Sequence, residues 1–184
     1  MARHRKNYNI PGHAHELTFS CYKRFRFLQA DRTCYWMVDS INEARRDWQF
    51  DLWAYVFMPE HLHMIIWPRQ PVYDVAKIRK SIKATPAYRA IRYLEQNAPN
   101  WLPKVTRIRN EKEERLFWQS GGGYDRNITE PATLMKMIDY LHLNPVRRGL
   151  VEKASDWKWS SADFYENGVQ GVLEIDAIPP EWLA

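Results

Sequence analysis

The chain has 184 residues, 45% of them hydrophobic and 27% charged, a balance that fits one soluble globular domain with a real core. Net charge is +5 and the sequence pI is near 9.2, which permits a polyanionic partner without requiring one. No stretch approaches the roughly 20 apolar residues that span a bilayer. No apolar signal core follows the basic residues 1–7, so a single cytoplasmic domain over residues 1–184 is expected, with its core at about 8–165.

Residues 1–12 are polar and basic and end in the turn pair Pro11-Gly12. Residues 15–22 alternate weakly around Leu17, Phe19 and Cys21 and predict a first strand. Asp31 opens a predicted helix to about Trp48, with Met37, Val38, Ile41 and Ala44 at helical spacing. Residues 50–58 and 61–67 predict two strands of a hairpin joined by Pro59-Glu60. A second helix is predicted over residues 72–93, interrupted near Pro86. Residues 97–113 read as an irregular charged insertion, and residues 116–119 as a short fourth strand. Gly121-Gly122-Gly123 reads as a flexible loop without the spacing or lysine of a phosphate-binding loop. Thr129 is the expected N-cap of a third helix that stops near Asn144, because Pro145 follows. Residues 150–184 are expected to pack on the domain as a tail. Helices and antiparallel hairpins sharing one sheet predict an α+β fold of ferredoxin-like type.

Two cysteines, Cys21 and Cys34, make no disulfide framework and read as reduced, structural thiols. Basic side chains cluster with aromatics. Arg3, Arg5 and Lys6 open the chain; Lys23, Arg24 and Arg26 interleave with Tyr22, Phe25 and Phe27; Lys80 and Lys83 belong to the second helix; Arg147 and Arg148 follow Pro145. Such mixtures suit phosphate contact with base stacking, and equally a solvated charged surface.

The densest chemical signal is His61-Leu62-His63. On a strand, alternation puts both imidazoles on one face and Leu62, Met64 and Ile66 on the other. Two neutral imidazoles aimed at one point can hold a divalent cation, or they can be an ordinary hydrogen-bonded surface pair. On the third helix, Leu134, Ile138 and Leu141 form an apolar stripe. Tyr140 lies about 120° from its middle, with Asn144 one turn below. A tyrosine hydroxyl can be a covalent nucleophile and an amide oxygen a metal ligand, although an exposed helical tyrosine is as easily a rim residue.

Two segments together carry a resemblance. One is Met58-Pro59-Glu60-His61-Leu62-His63. The other is Asp139-Tyr140-Leu141-His142-Leu143-Asn144-Pro145-Val146-Arg147-Arg148-Gly149-Leu150-Val151. The chain resembles the REP-associated tyrosine transposases, single-tyrosine members of the HUH endonuclease superfamily. Phe117-Trp118-Gln119 and Asp156-Trp157-Lys158-Trp159-Ser160-Ser161 resemble further landmarks. The resemblance implies that His61 and His63 are metal ligands, Tyr140 the nucleophile and Asn144 the third ligand. It implies Mg²⁺ or Mn²⁺ as cofactor and single-stranded or hairpin DNA as partner. The product would be a 5′-phosphotyrosine link with a free 3′-hydroxyl, which a second 3′-hydroxyl can reseal. Monomer and homodimer both stay open, as do a domesticated protein that binds without cleaving and a metal nuclease that uses water. Two departures stand out: the long charged segment at residues 99–114, and Arg147-Arg148 where Lys-His is common.

Overall fold

The computed structural model describes residues 8–121 and 123–183. Arg3, Arg5 and Lys6, read above as DNA contacts, lie outside the described residues. The central sheet has four strands in the order β2-β3-β1-β6. They are β1 (Ala14–Ser20), β2 (Phe50–Met58), β3 (His61–Pro68) and β6 (Tyr124–Ile128), and every neighbouring pair is antiparallel. Helix α1 (Asp31–Trp48) connects β1 to β2, and α2 (Val75–Asn97) follows β3. The ferredoxin-like expectation holds.

Both faces of the sheet are buried. Leu17, Phe19, Phe57, Leu62, Met64 and Ile66 face α1 and α2 and form the larger core with Met37, Ile41, Ile78 and Ile82. On the other face, Trp53, Ala54, Val56, Met58 and Ile65 meet Leu134, Ile138 and Leu141 of α4 (Pro131–His142). A register shift between Leu52 and Ala54 sets Trp53 and Ala54 on this same face, as one extra residue in a strand does. The tail shields the outer edge of β2: Phe57 N–H donates to the Trp159 carbonyl at 2.7 Å and Leu52 N–H to Asp176 Oδ2 at 2.7 Å. An edge strand left bare would invite pairing with another chain.

Four expectations need correction. Helix α2 runs unbroken through Pro86. Proline removes the hydrogen bond to the carbonyl four residues earlier. Here that carbonyl belongs to Ile82, and the Ser40 hydroxyl supplies the missing donor at 2.9 Å. Residues 97–113 are ordered, with α3 (Leu102–Val105) leading into a hairpin of β4 (Thr106–Arg109) and β5 (Lys112–Arg115). Residues 116–119 make only an isolated bridge, Cys21 to Trp118. The fourth strand of the sheet is Tyr124–Ile128 instead, whose mixed polar residues suit an edge and carry almost no hydrophobic alternation. Lastly, Glu130 rather than Thr129 occupies the N-cap position of α4, without a capping hydrogen bond from its side chain. The helix does end near Asn144 as expected, at His142, and Pro145 sits in the first turn of a new short helix, α5 (Asn144–Arg147), where its missing N–H costs nothing.

One glycine near the sheet is conformationally required. Gly123 has φ +73°, and a Cβ there would lie 2.3 Å from the Thr18 carbonyl oxygen, so any side chain would push β1 away from the start of β6.

Cys21 and Cys34 are free and buried, and burial pushes both thiols up to about 12. They are protonated and inert at neutral pH. Among the described residues no helix is long and apolar enough to cross a membrane.

Helix α4 is also fixed at its end by His142, which is 6% exposed and shares a 2.8 Å hydrogen bond with Ser161 Oγ. Burial pulls this imidazole from its ordinary value of 6.5 down to about 4. As pH falls, the unfolded chain takes up this proton first. The contribution of His142 is therefore complete above about 6.5 and is lost progressively down to about 4, by an order of ~3 kcal/mol at most. Urea unfolding should show a lower midpoint at pH 4.5 than at pH 7, with a smaller drop in His142→Gln. Equal drops in the two proteins would contradict this.

Candidate active site

The hairpin between β2 and β3 turns through Pro59 and Glu60, pairing Met58 with His61 and Phe57 with Leu62. Both turn carbonyls are held. Leu28 N–H donates to the Pro59 carbonyl at 2.9 Å and Cys21 N–H to that of Glu60 at 2.8 Å. The first residues of β3 are thereby fixed before any side chain is considered.

Alternation then projects His61 and His63 from the face that α4 covers. Their ring centroids are 4.9 Å apart and their planes cross at 83°. Each ring is held by Nδ1. His61 Nδ1 lies 3.1 Å from Glu60 Oε1, and His63 Nδ1 lies 2.8 Å from Thr18 Oγ1 on β1, with Glu16 Oε1 at 3.7 Å. Thr18 stands directly opposite His63 in the sheet register. Among the described residues neither Nε2 has a hydrogen-bond partner. Imidazoles oriented through one nitrogen and open at the other form a common metal-ligand arrangement.

Charge supports the same use. Burial, and secondarily the neighbouring His63, pulls His61 down to about 4, against the opposing pull of Glu60. The ring is neutral at physiological pH, as ligation requires. Burial works to raise the Glu60 carboxyl, but Arg148 and His61 outweigh it and hold that carboxyl below its ordinary value. Arg148 Nη1 donates to Glu60 Oε1 at 2.7 Å.

Arg148 follows α5 directly, so Glu60 joins the histidine-bearing hairpin to the end of the short helix that succeeds α4. The sequence reading gave Glu60 no role beyond capping the hairpin and Arg148 one of DNA contact; the structure ties the two together. Glu60→Gln should weaken Mn²⁺ binding by about 10–100-fold, the loss expected when a histidine's orienting partner is removed. Its unfolding midpoint should stay near that of the unaltered protein, because Arg148 is 45% exposed and returns to water. Calorimetric titration with Mn²⁺ checks this, and an unchanged affinity would contradict it.

Tyr140 lies on α4, docked on the same face as the histidines, and is 53% exposed. Among the described residues its hydroxyl makes no hydrogen bond. The Arg147 guanidinium carbon sits 4.7 Å from the centre of its ring, within cation–π range. Asn144 donates through Nδ2 to the carbonyls of Tyr140 and Leu141, both at 3.1 Å. That leaves Oδ1 as its acceptor atom. No group of three or more His, Cys, Asp or Glu side chains converges on one point among the described residues. Asn144, the third ligand expected from sequence, lies outside those residue types.

The other predicted DNA contacts divide. Arg24, Arg26 and Arg148 share a recess with Glu60 beside the hairpin, and Lys23 lies alongside with Nζ 3.4 Å from the Lys104 carbonyl. Lys80 and Lys83 instead line a hollow with Gly121 on the α2 side of the sheet, opposite the histidines. Lys83 Nζ is spent on the Gly121 carbonyl at 3.1 Å. The structure does not bring those two lysines to the site. His15 is buried between Asp125 (2.9 Å) and the Tyr73 hydroxyl (2.7 Å), a structural tie.

Sequence reasoning missed Thr18, Glu16 and the bridging role of Glu60. The only early signal was a polar Thr18 between Leu17 and Phe19, because cross-strand register cannot be read from one strand.

No family model matches the chain. A Haemophilus influenzae protein provisionally named as a REP-associated tyrosine transposase is 28% identical over 170 residues, which span 86% of this chain and 85% of the relative. The REP-associated tyrosine transposase of Escherichia coli is 26% identical over 159 residues, 86% of this chain and 81% of its own. The chain is similar to the REP-associated tyrosine transposases. A solved REP-associated tyrosine transposase bound to a REP hairpin superposes with a TM-score of 0.68, covering 97% of this chain and 94% of that one at 22% identity. The chain thus shares the fold of that structure.

Proposed function

We propose that this protein cleaves and rejoins hairpin-forming single-stranded DNA, with Tyr140 as nucleophile and His61, His63 and Asn144 as ligands of a Mg²⁺ or Mn²⁺ ion. One observation carries the reading. Two imidazoles, each oriented through Nδ1 and open at Nε2, share a sheet face with the helix that presents an exposed tyrosine. The homologues' name and the hairpin in the related solved structure favour DNA as the substrate.

A divalent cation bound there would draw charge from the scissile phosphate and ease attack on it. The protein's own groups do the rest. Arg24, Arg26 and Arg148 place positive charge along the recess where a phosphate backbone would run. Arg147 puts a cation beside the ring on which phenolate charge must develop. The Tyr140 oxygen attacks phosphorus, the bond to the 3′-oxygen breaks, and that oxygen leaves with a proton as the 3′-hydroxyl. Running the step backwards with another 3′-hydroxyl restores the phosphodiester and frees the tyrosine, so strand transfer needs no nucleotide cofactor.

The test is incubation of the protein with labelled hairpin DNA and Mn²⁺, followed by denaturing electrophoresis. A labelled band at protein mass supports the proposal. Cleavage to free 5′-phosphates without that band would instead mean attack by water, and binding without cleavage would mean a DNA-structuring protein.

A further inference from the structure

Strand β6 forms the edge of the sheet beyond β1, and its side chains divide between the two faces by alternation. Asp125 and Asn127 turn toward the α2 side. Asp125 is buried there against His15 at 2.9 Å, and Asn127 Nδ2 donates to the Tyr8 carbonyl at 2.8 Å. Tyr124, Arg126 and Ile128 turn the other way, and Ile128 enters the core on the α4 side with its register partner Ala14. Tyr124 therefore shares a face with His61 and His63.

The register fixes how near it stands. Tyr124 is directly opposite Thr18, and Thr18 is directly opposite His63. Two strand spacings separate Tyr124 from His63, about 10 Å between Cα atoms. Thr18 Oγ1 lies 2.8 Å from His63 Nδ1, so histidine, threonine and tyrosine form one row across the sheet. Tyr124 is 41% exposed. Arg126 stands opposite Glu16, which puts a cation across from the carboxylate beside His63.

The row is held from two directions. Gly123 packs so close to the Thr18 carbonyl that no side chain fits, which fixes the backbone one residue before Tyr124. Behind the strand, the buried His15–Asp125 pair ties the next residue to β1. Groups that act on a reacting phosphate need placement of this kind, on a strand whose back is anchored.

We propose that Tyr124 is a second catalytic tyrosine, one that forms no covalent bond: its hydroxyl donates a hydrogen bond to a non-bridging oxygen of the phosphate that Tyr140 attacks. The assignment rests on the DNA-cleavage reading above and extends it. Charge on the non-bridging oxygens shifts as phosphorus takes on the incoming oxygen, and a donor aimed there binds the transition state more tightly than the ground state. The proton stays on Tyr124 throughout. Arg24, Arg26 and Arg148 reach the phosphate past the hairpin turn, whereas Tyr124 reaches it across β1.

The test compares the full chain with Tyr124→Phe on three hairpin DNAs in Mn²⁺. One carries the natural scissile phosphate; the other two carry sulfur, a weak acceptor, in place of one or the other non-bridging oxygen. On the natural DNA the rate of adduct formation should fall roughly 10²-fold. Hairpin affinity measured without metal and Mn²⁺ affinity should both stay unchanged. The same fall should appear with sulfur at one oxygen and vanish with sulfur at the other. A role in folding alone would lower all three rates by one factor, and that result would overturn the proposal. Full activity in Tyr124→Phe would overturn it too, as would a loss of hairpin affinity in place of rate, which would make Tyr124 a DNA contact only. Absence of any adduct with the unaltered protein would overturn the cleavage reading and this assignment with it.

Discussion

Tyr140→Phe should abolish covalent attachment to hairpin DNA, with a fall of at least about 10⁴-fold in adduct formation, in keeping with removal of a nucleophile that acts as one unit with its site. Affinity for the DNA should change little, because the phenyl ring, its place on α4 and its stacking with Arg147 all remain. Stability should stay within about 0.5 kcal/mol, since Tyr140 is exposed and its hydroxyl holds no partner among the described residues. Denaturing electrophoresis reads the adduct, and gel shift on the same samples reads binding. Adducts at the level of the unaltered protein would remove Tyr140 from the chemistry. Loss of binding together with adducts would make it a contact residue.

His63→Ala is the second large effect. It removes one of two open imidazole nitrogens and leaves Thr18 Oγ1 without its 2.8 Å partner. Mn²⁺ affinity should fall by more than the roughly 10–100-fold set for Glu60→Gln, because a direct ligand contributes more than the group that orients it. Adduct formation should fall with it, and excess Mn²⁺ should restore part of the activity. The cost to folding should be about 1–3 kcal/mol, since the ring is largely buried and its hydrogen bond to Thr18 and its place beside Glu16 both go. A variant with unaltered Mn²⁺ affinity by calorimetry would put the metal elsewhere.

What sequence revealed follows the reach of its signals. The faces of β3 were legible because alternation is local: Leu62, Met64 and Ile66 enter the α1–α2 core as expected, and the histidines face away from it. The apolar stripe of α4 was legible for the same reason, and all three of its residues are buried against the sheet. Interactions across the chain were not. Ser40 satisfies the carbonyl that Pro86 orphans from 42 positions away, so the proline read as a break. Thr18 reaches His63 across 45 positions and Arg148 reaches Glu60 across 88. These contacts exist only once the sheet order is set. The edge strand Tyr124–Ile128 escaped notice because its residues are chiefly polar, and Lys80 and Lys83 were grouped with the site by charge alone, which says nothing about which side of a sheet a helix covers.

The proposed reaction is attack by one phenol on one phosphate beside the histidine pair. The most direct test is mass spectrometry of the trapped adduct after nuclease and trypsin digestion. The tryptic peptide spanning residues 137–147 contains Tyr140 as its sole tyrosine. The expected result is that peptide carrying a nucleotide 5′-phosphate. A nucleotide on any other tyrosine, or only free 5′-phosphate ends with that peptide unmodified, would contradict the mechanism.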